Sequence, residues 1–589
     1  MVAMILVGLC AGLYLRTLDY PMVFDDHAYL TQNPFWREEG VFLYPLKFRE
    51  FVNRPAKLGS DPDFAVNIVM RPVAYASFRL NYFWDGFRPR WYRALNIAVH
   101  AVNAVLVYGV VSQILGCGVR RGLVRRSSVL FIASSAALLF VVHPLAVESV
   151  TYIVQRFTSL AAMFSLGALS LHFAALERGA GWARRLFRGG SVVAMLMAMQ
   201  TKESSFMIPP MALLVDWLVY GSGLRCALRR SLPLLLCMPL IPTLVLATAA
   251  CHHGELTLTG GLNLVNSRTE PVGQWEYLVT QCTVVAHYLR LIVWPAALNI
   301  DPDWPVFDSL LQPRVHLALV SLGSVVAAVW RVFRGAGGDP RGGLALVSTA
   351  WFFAVISVSS SVVPLPDMVA EHRSYLPSVG IFVLVACLLD RLRTEMLAEY
   401  GGDLLVSAAV VMSAGLLCGV TDEQNHFWRS NESLWKRTAE LSPGKCRVWG
   451  NLGTAYSHEG RESAAVDCYR RALELQPRYT EARMNLANSL VRLGRTREAL
   501  DAVEFLIRDQ PGAARLVAVR YLRSLALAGE GRAEETVEIL RRICAESPSH
   551  PHARDALRVV GEQARNRGVM RGPPVVVSEG SSPVTDRER

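Results

Sequence analysis

An apolar run of about 20 residues is long enough to cross a lipid bilayer as a helix. In this chain such runs stop at short arginine-rich stretches and begin again. Candidate runs lie near 1–18, 92–116, 128–142, 157–176, 190–201, 204–220, 231–250, 275–297, 315–333, 343–362, 374–390 and 402–420. Backbone polar groups in lipid must be satisfied within their own segment, so these runs fold as helices. GVRRGLVRR (118–126), ERGAGWARRLFRG (177–189), GSGLRCALRR (221–230), RVFRGAGGDPRG (331–342) and DRLRTEMLAEYGG (390–402) separate many of them. Arginine in short loops marks the cytoplasmic side.

The alternating segments then belong on the opposite face. They are 19–91, 143–156, 201–204, 251–314, 363–378 and everything after 420. One run breaks the alternation. The acidic stretch LNIDPDWPVFDS (298–309) precedes a run that must cross to the basic loop at 331, so 275–297 does not cross. Its Gln281, His287 and Arg290 suit an interfacial or re-entrant helix. About 11 spans are therefore expected, with a cytoplasmic N-terminus and the C-terminal domain on the outer side. Residues 1–18 have no positive cluster before the apolar run and no A-x-A-like site after it, so they read as a retained span. The net charge of +11 is accounted for by loop arginines. No basic helix with interleaved aromatics points to nucleic acid. The eleven cysteines are scattered without a C-x-x-C pair, which indicates neither a zinc site nor a disulfide framework.

After about residue 420 the chain becomes charged and periodic. Gly460, Gly494 and Gly531 recur at steps of 34 and then 37 residues, and Pro477, Pro511 and Pro548 each follow 17 residues later. A 34-residue helix–turn–helix period is the tetratricopeptide signature. The first unit places Trp449, Leu452, Gly453, Tyr456, Ala465, Tyr469 and Ala472 at that pattern's positions. The second keeps Leu486, Gly494, Ala499 and Pro511, and the third carries three extra residues before its glycine. SLWKRTAELSP (433–443) fits the second helix of a preceding unit. The expected architecture is all-α: a polytopic helical membrane domain over 1–420, a tetratricopeptide-repeat solenoid over 431–560 and a disordered tail over 566–589. Stacked repeats leave a concave face for protein partners.

Charges at membrane depth are rare and usually functional. Here they gather in the outward segments: Asp25, Asp26 and His27; Arg71; His143, Glu148 and Arg156; Lys202 and Glu203; Glu371, His372 and Arg373. Asn96 and His100, four residues apart, share a helix face near the same side. Carboxylates can deprotonate a hydroxyl, and arginine and lysine can hold a phosphate leaving group. Those needs match sugar transfer from a lipid phosphate. Like charges as close as Asp25 and Asp26 also raise the pKa of one of them. The plainer alternatives are an interfacial anchor for the Asp pair, a helix end at His143–Pro144, and an Arg156–Glu148 ion pair.

At this point the chain resembles a known family. HPLAVESVTYIVQRFTSLAAMF (143–164) is similar to the His-Pro…Glu-x-Val…Arg block of the transmembrane and tetratricopeptide-repeat-containing (TMTC) O-mannosyltransferase-like proteins. FDDHAYLTQNP (24–34) resembles their first-loop aspartate motif. RPVAYASFRLNY (71–82), LNIAVHAVNAVLVY (95–108), TKESSFMIPPMALLVD (201–216), YLRLIVWPAALNIDPDWP (288–305) and AEHRSYLPSVG (370–380) follow in the same order. The block at 143 departs from the pattern, with Leu145 and Ala146 where a second histidine is usual.

The resemblance implies a GT-C-type glycosyltransferase that is inverting and uses a polyprenyl-phosphate-linked sugar. It implies a hydroxyl acceptor, here Ser or Thr of an exported protein. Asp25 or Asp26 would be the catalytic base, with Asp25 preferred. Arg373, Lys202 and Arg156 would contact the donor phosphate. His143, Glu148, Arg71, His100 and Glu371 would shape the acceptor or donor site. No metal or other cofactor is required, although Asp25, Asp26 and Glu148 are the oxygen set that would ligate a divalent cation. The short repeat array points to a bacterial relative in the inner membrane, with the repeats in the periplasm. The rivals are a GT-C enzyme acting on an envelope glycan or lipid, and a non-catalytic membrane-anchored tetratricopeptide scaffold.

Overall fold

The computed structural model describes residues 1–31, 67–253, 272–334, 339–361, 363–396, 401–547, 550 and 552–566. The tail beyond 566, the end of the Asp motif, Pro548 and much of the expected outward loop 19–91 lie outside them. The chain divides into two compact units, Met1–Leu434 and Trp435–Arg589.

Among the described residues the first unit is built from helices without strands. They are α1 (Val2–Tyr14), α2 (Pro72–Asp85), α3 (Pro89–Arg120), α4 (Arg126–Val142), α5 (Arg156–Leu176), α6 (Trp182–Met199) and α7 (Ile208–Leu218). Then come α8 (Leu224–Leu235), α9 (Leu240–His253), α10 (Gln274–Val293), α11 (Pro313–Phe333), α12 (Pro340–Ser357), α13 (Tyr375–Arg391) and α14 (Gly402–Phe427). Several starts are written in the sequence. α2, α3, α11 and α12 each open on a proline, whose missing N–H costs nothing in a first turn. Asp339 caps α12 by accepting the Arg341 N–H at 2.9 Å.

Among the described residues six stretches are long and apolar enough to cross a membrane: Pro89–Arg120, Ile153–Leu176, Leu224–Ala247, Pro313–Phe333, Glu371–Glu395 and Gly402–Phe427. The bent pair Arg126–Val142 and Pro144–Val150 makes a seventh if counted as one span. The chain is therefore a multi-pass membrane protein. The expectation of about 11 spans goes beyond this set. The run at 204–220 yields only the 11-residue α7, about 17 Å of helix against a hydrocarbon core of about 30 Å. α6 carries three arginines in its first half. α10 is not among the six.

Without water to expel, membrane helices associate through close packing and polar contacts. Both occur here. A Cβ placed on Gly380 of α13 would lie 2.4 Å from the Ser348 carbonyl oxygen of α12, so only glycine admits that approach. Polar contacts join α3 to α5 and α13: Asn103 donates to the Ser159 carbonyl at 2.8 Å and to the Tyr375 hydroxyl at 3.1 Å.

The second unit stacks helix pairs: Cys446–His458 with Glu462–Leu475, Thr480–Arg492 with Thr496–Asp509, and Val517–Gly529 with Ala533–Glu546, then Ala553–Asn566. Gly460, Gly494 and Gly531 end the first helix of each pair at φ of +75°, +73° and +77°. Only glycine takes that left-handed turn without strain, which explains their recurrence. The lengthened third repeat takes up its extra residues in a 3₁₀ turn, Pro511–Arg515. The helix Asn431–Leu441 covers most of the expected 433–443 segment and straddles the division between the units.

Candidate functional site

The Asp pair sits in a tight turn whose two carboxyls have different fates. Phe24, one of two non-glycine residues with positive φ among those described, turns the chain at +52°. Its N–H donates to Asn431 Oδ1 at 3.0 Å. Asp26 is fully buried. One of its oxygens accepts the Val23 N–H at 3.2 Å and the other the Val154 N–H at 3.0 Å. Arg93 braces the approach to this turn by donating to the carbonyls of Tyr20, Pro21 (2.6 Å) and Thr151 (3.1 Å). Burial pushes the Asp26 carboxyl up to about 7, against the pull of Arg93 and the two N–H donors; Asp25 adds the smallest part. Like-charge repulsion was the expected cause, and desolvation is the larger one. Asp26 thus holds the turn. Asp25 remains half-buried and neighbours Tyr152.

Tyr29, on the turn His27–Thr31, lies within electrostatic reach of Tyr152, Tyr75 and Arg71. Arg71 immediately precedes α2 and forms a two-pronged pair with Glu203, Nε to Oε2 at 3.2 Å and Nη2 to Oε1 at 2.9 Å. Lys202 donates to Thr158 Oγ1 on α5 at 2.7 Å. Ser165 and Ser205 pin the same loop at 3.1 Å. Burial, reinforced by Arg71 and Arg373, pushes the Lys202 amine down to about 7 against Glu203 and Glu148. Burial would raise Glu203, but Arg71 and Lys202 outweigh it and hold the carboxyl at about 2.

The block at 143 reaches this cluster of charges because Pro144 ends α4. The chain bends by 56° into Pro144–Val150 and delivers Glu148. The two Glu148 oxygens accept the His372 N–H at 2.9 Å and the His372 Nδ1–H at 2.6 Å. Arg373 follows directly. Its electrostatic neighbours are Tyr288, Tyr277, Asp367 and Glu148. One terminal nitrogen, Nη1, is buried with no hydrogen-bond partner among the described residues. A guanidinium N–H left in that state costs free energy until an acceptor arrives.

The remaining expected site residues serve the scaffold. Arg156 is fully buried. It donates to Asn96 Oδ1 at 2.6 Å, Asn81 Oδ1 at 2.7 Å, the Ser77 carbonyl at 3.2 Å and the Tyr92 carbonyl at 2.8 Å. No guanidinium nitrogen is left for a phosphate, nor does it pair with Glu148. His100 donates from Nε2 to the Val141 carbonyl (3.3 Å), which leaves Nδ1 to accept the Tyr375 hydroxyl (2.7 Å). His143 accepts the Leu145 N–H and donates to the Ile292 carbonyl at 3.0 Å, which makes it a helix-end residue. Glu371 is buried and accepts the Asn299 N–H at 2.6 Å. Asp25, Asp26 and Glu148 do not form a cation site: both Glu148 oxygens are taken by His372, and among the described residues no group of three or more His, Cys, Asp or Glu could hold a metal.

Asp25, Arg71, Lys202, Glu148 and Arg373 are thus linked through shared neighbours, from segments far apart in sequence. Sequence reasoning missed Tyr29, Tyr152, Tyr277 and the brace Arg93. Tyrosine is too common near membrane interfaces to stand out, and Arg93 opens a helix as an ordinary interfacial cation would.

Comparison with known proteins agrees with both halves. Tetratricopeptide-repeat family models match residues 446–479 and 484–551. A protein O-mannosyl-transferase of Caenorhabditis elegans is 24% identical over 486 residues, 81% of this chain and 63% of its own. The human protein O-mannosyl-transferase TMTC3 is 24% identical over 93% of this chain and 61% of its own. Human TMTC1 is 26% identical over 82% and 56%. The chain therefore spans somewhat over half the length of these relatives.

Proposed function

We propose, from the premise that this chain is a homologue of the TMTC protein O-mannosyl-transferases over most of its length, that it is an integral-membrane glycosyltransferase. It moves a sugar from a polyprenyl-phosphate-linked donor to a hydroxyl, that of Ser or Thr in an exported protein. The observation that carries this reading is the buried, unpartnered Nη1 of Arg373, in a cluster with Lys202 and Arg71. Such a site suits a phosphate.

In the reaction, Asp25 accepts the acceptor's hydroxyl proton as that oxygen attacks the anomeric carbon. The new C–O bond forms as the bond to the phosphate oxygen breaks, so the configuration inverts. The departing lipid phosphate keeps the electron pair, and Arg373 and Lys202 stabilise its charge. Glu148 fixes His372 and so the backbone that presents Arg373. Asp26 keeps Asp25 in place and takes no proton from the acceptor. The multi-pass unit lies in a bacterial inner membrane, and the repeats, on the periplasmic side, present the acceptor.

The test is transfer of radiolabelled sugar from polyprenyl-phosphate donors to envelope protein in proteoliposomes. Asp25→Asn is expected to lower turnover by about 10²–10⁴-fold with insertion intact. Asp26→Asn is expected to lower the unfolding temperature first, because it disturbs two buried backbone contacts worth about 1–3 kcal/mol. Full activity in Asp25→Asn refutes the assignment. Label in glycan or lipid alone removes the protein acceptor.

A further inference from the structure

The arginine-rich loops at 177–189 and 221–230 have no part in the proposed reaction, yet they lead into packed structure. Arg184 and Arg188 are four residues apart on α6 and share one face, and Arg230 approaches from α8. Arg188 has both Arg184 and Arg230 as electrostatic neighbours. All three are half-buried. The carboxylate nearby is Asp216, fully buried, which accepts Arg230 Nη1 at 3.1 Å and the Ser222 hydroxyl at 2.8 Å. Among the described residues neither Arg184 nor Arg188 forms an ion pair. The Nε of each is buried without a hydrogen-bond partner.

Three guanidiniums against one carboxylate leave positive charge uncompensated. Around Asp216, whose own Oδ2 has no hydrogen-bond partner among the described residues, two buried donors also lack one: His172 Nε2 and Tyr220 Oη. His172 neighbours Asp216, Arg188 and Arg230. His172 Nε2 and Tyr220 Oη can each donate a hydrogen bond to an oxyanion. We infer that this cluster binds the phosphate of an anionic membrane lipid.

Two features select a lipid over a soluble phosphate. Arg230 lies in the first turns of a stretch, Leu224–Ala247, that is long and apolar enough to span the bilayer, which sets the cluster at the membrane boundary. The same helices expose Trp182 and Leu186 on α6, and Leu228 and Leu232 on α8, as contacts for acyl chains. The inference does not depend on the proposed reaction.

The experiment titrates the purified full chain in neutral detergent with phosphatidylglycerol, phosphatidylcholine and inorganic phosphate. Bound lipid is read by native mass spectrometry and by the shift in unfolding temperature. Phosphatidylglycerol is expected to bind saturably, and R184Q/R188Q to weaken it at least about tenfold. R184K/R188K, which keeps the charge, is expected to retain most of the binding. Equal binding of phosphatidylcholine overturns the inference, as does unchanged affinity in R184Q/R188Q. Saturation by inorganic phosphate at the same concentrations overturns the lipid source. If R184Q/R188Q fails to fold, competition between the two lipids on the wild-type chain decides.

Discussion

Lys202 shows how one residue's surroundings set the conditions under which the site can work. Its amine titrates at about 7 in the folded chain because it is buried, against 10.5 for an ordinary lysine. The unfolded chain therefore binds this proton more tightly. Between those values stability rises with pH, and above about 7 the folded site loses the charge that would hold a phosphate. The KM for the lipid-phosphate donor is accordingly expected to rise above pH 7. Lys202→Arg, which stays charged, should flatten that limb. An alkaline limb unchanged in Lys202→Arg would show that another group titrates. The charged members of the cluster were legible in the sequence because Asp25, Arg71, Glu148, Lys202 and Arg373 are costly so near lipid. What separates Asp25 from Asp26 was not. The difference rests on two backbone N–H groups, one of them 128 residues away. Arg156 and His100 misled for the same reason: a buried polar residue looks alike in sequence whether its donors are spent on the fold or kept for a ligand.

Among the helices, the repeats were the most legible, because their glycines are required by backbone geometry rather than by neighbours. The span count was the least legible. Apolar runs such as 204–220 break into 3₁₀ turns and short helices around the polar loop at Lys202. The packing of α12 against α13 gives a direct test. Gly380→Ala places a methyl group 2.4 Å from a backbone carbonyl that has no flexible end to move. It is expected to cost about 1–3 kcal/mol. Gly415→Ala on α14, with nothing within 4 Å, should be close to neutral. Thermal unfolding in detergent compares the two, and equal effects would mean that the helices do not pack at this distance.

The whole chain holds separate cores. One runs through the helical membrane unit, and smaller clusters around Tyr469, Val503 and Leu540 belong to the repeats. Guanidinium unfolding followed by circular dichroism is expected to show two transitions, the repeats melting first. A single cooperative transition would contradict separate cores. The membrane unit itself is fastened late in the chain. Asn425 of α14 donates to the Leu13 carbonyl at 3.1 Å and accepts the Thr151 hydroxyl at 2.6 Å, while Asn431 holds the Phe24 N–H. The turn that holds Asp25 is thus fixed by a residue made some 400 positions later. During synthesis Asp25 is made long before α14 and Asn431, so its turn is held in place only when translation of the helical unit is almost done. On the proposed function, a chain that lacks α14 and Asn431 is therefore expected to be inactive, whatever else of the helical unit it retains.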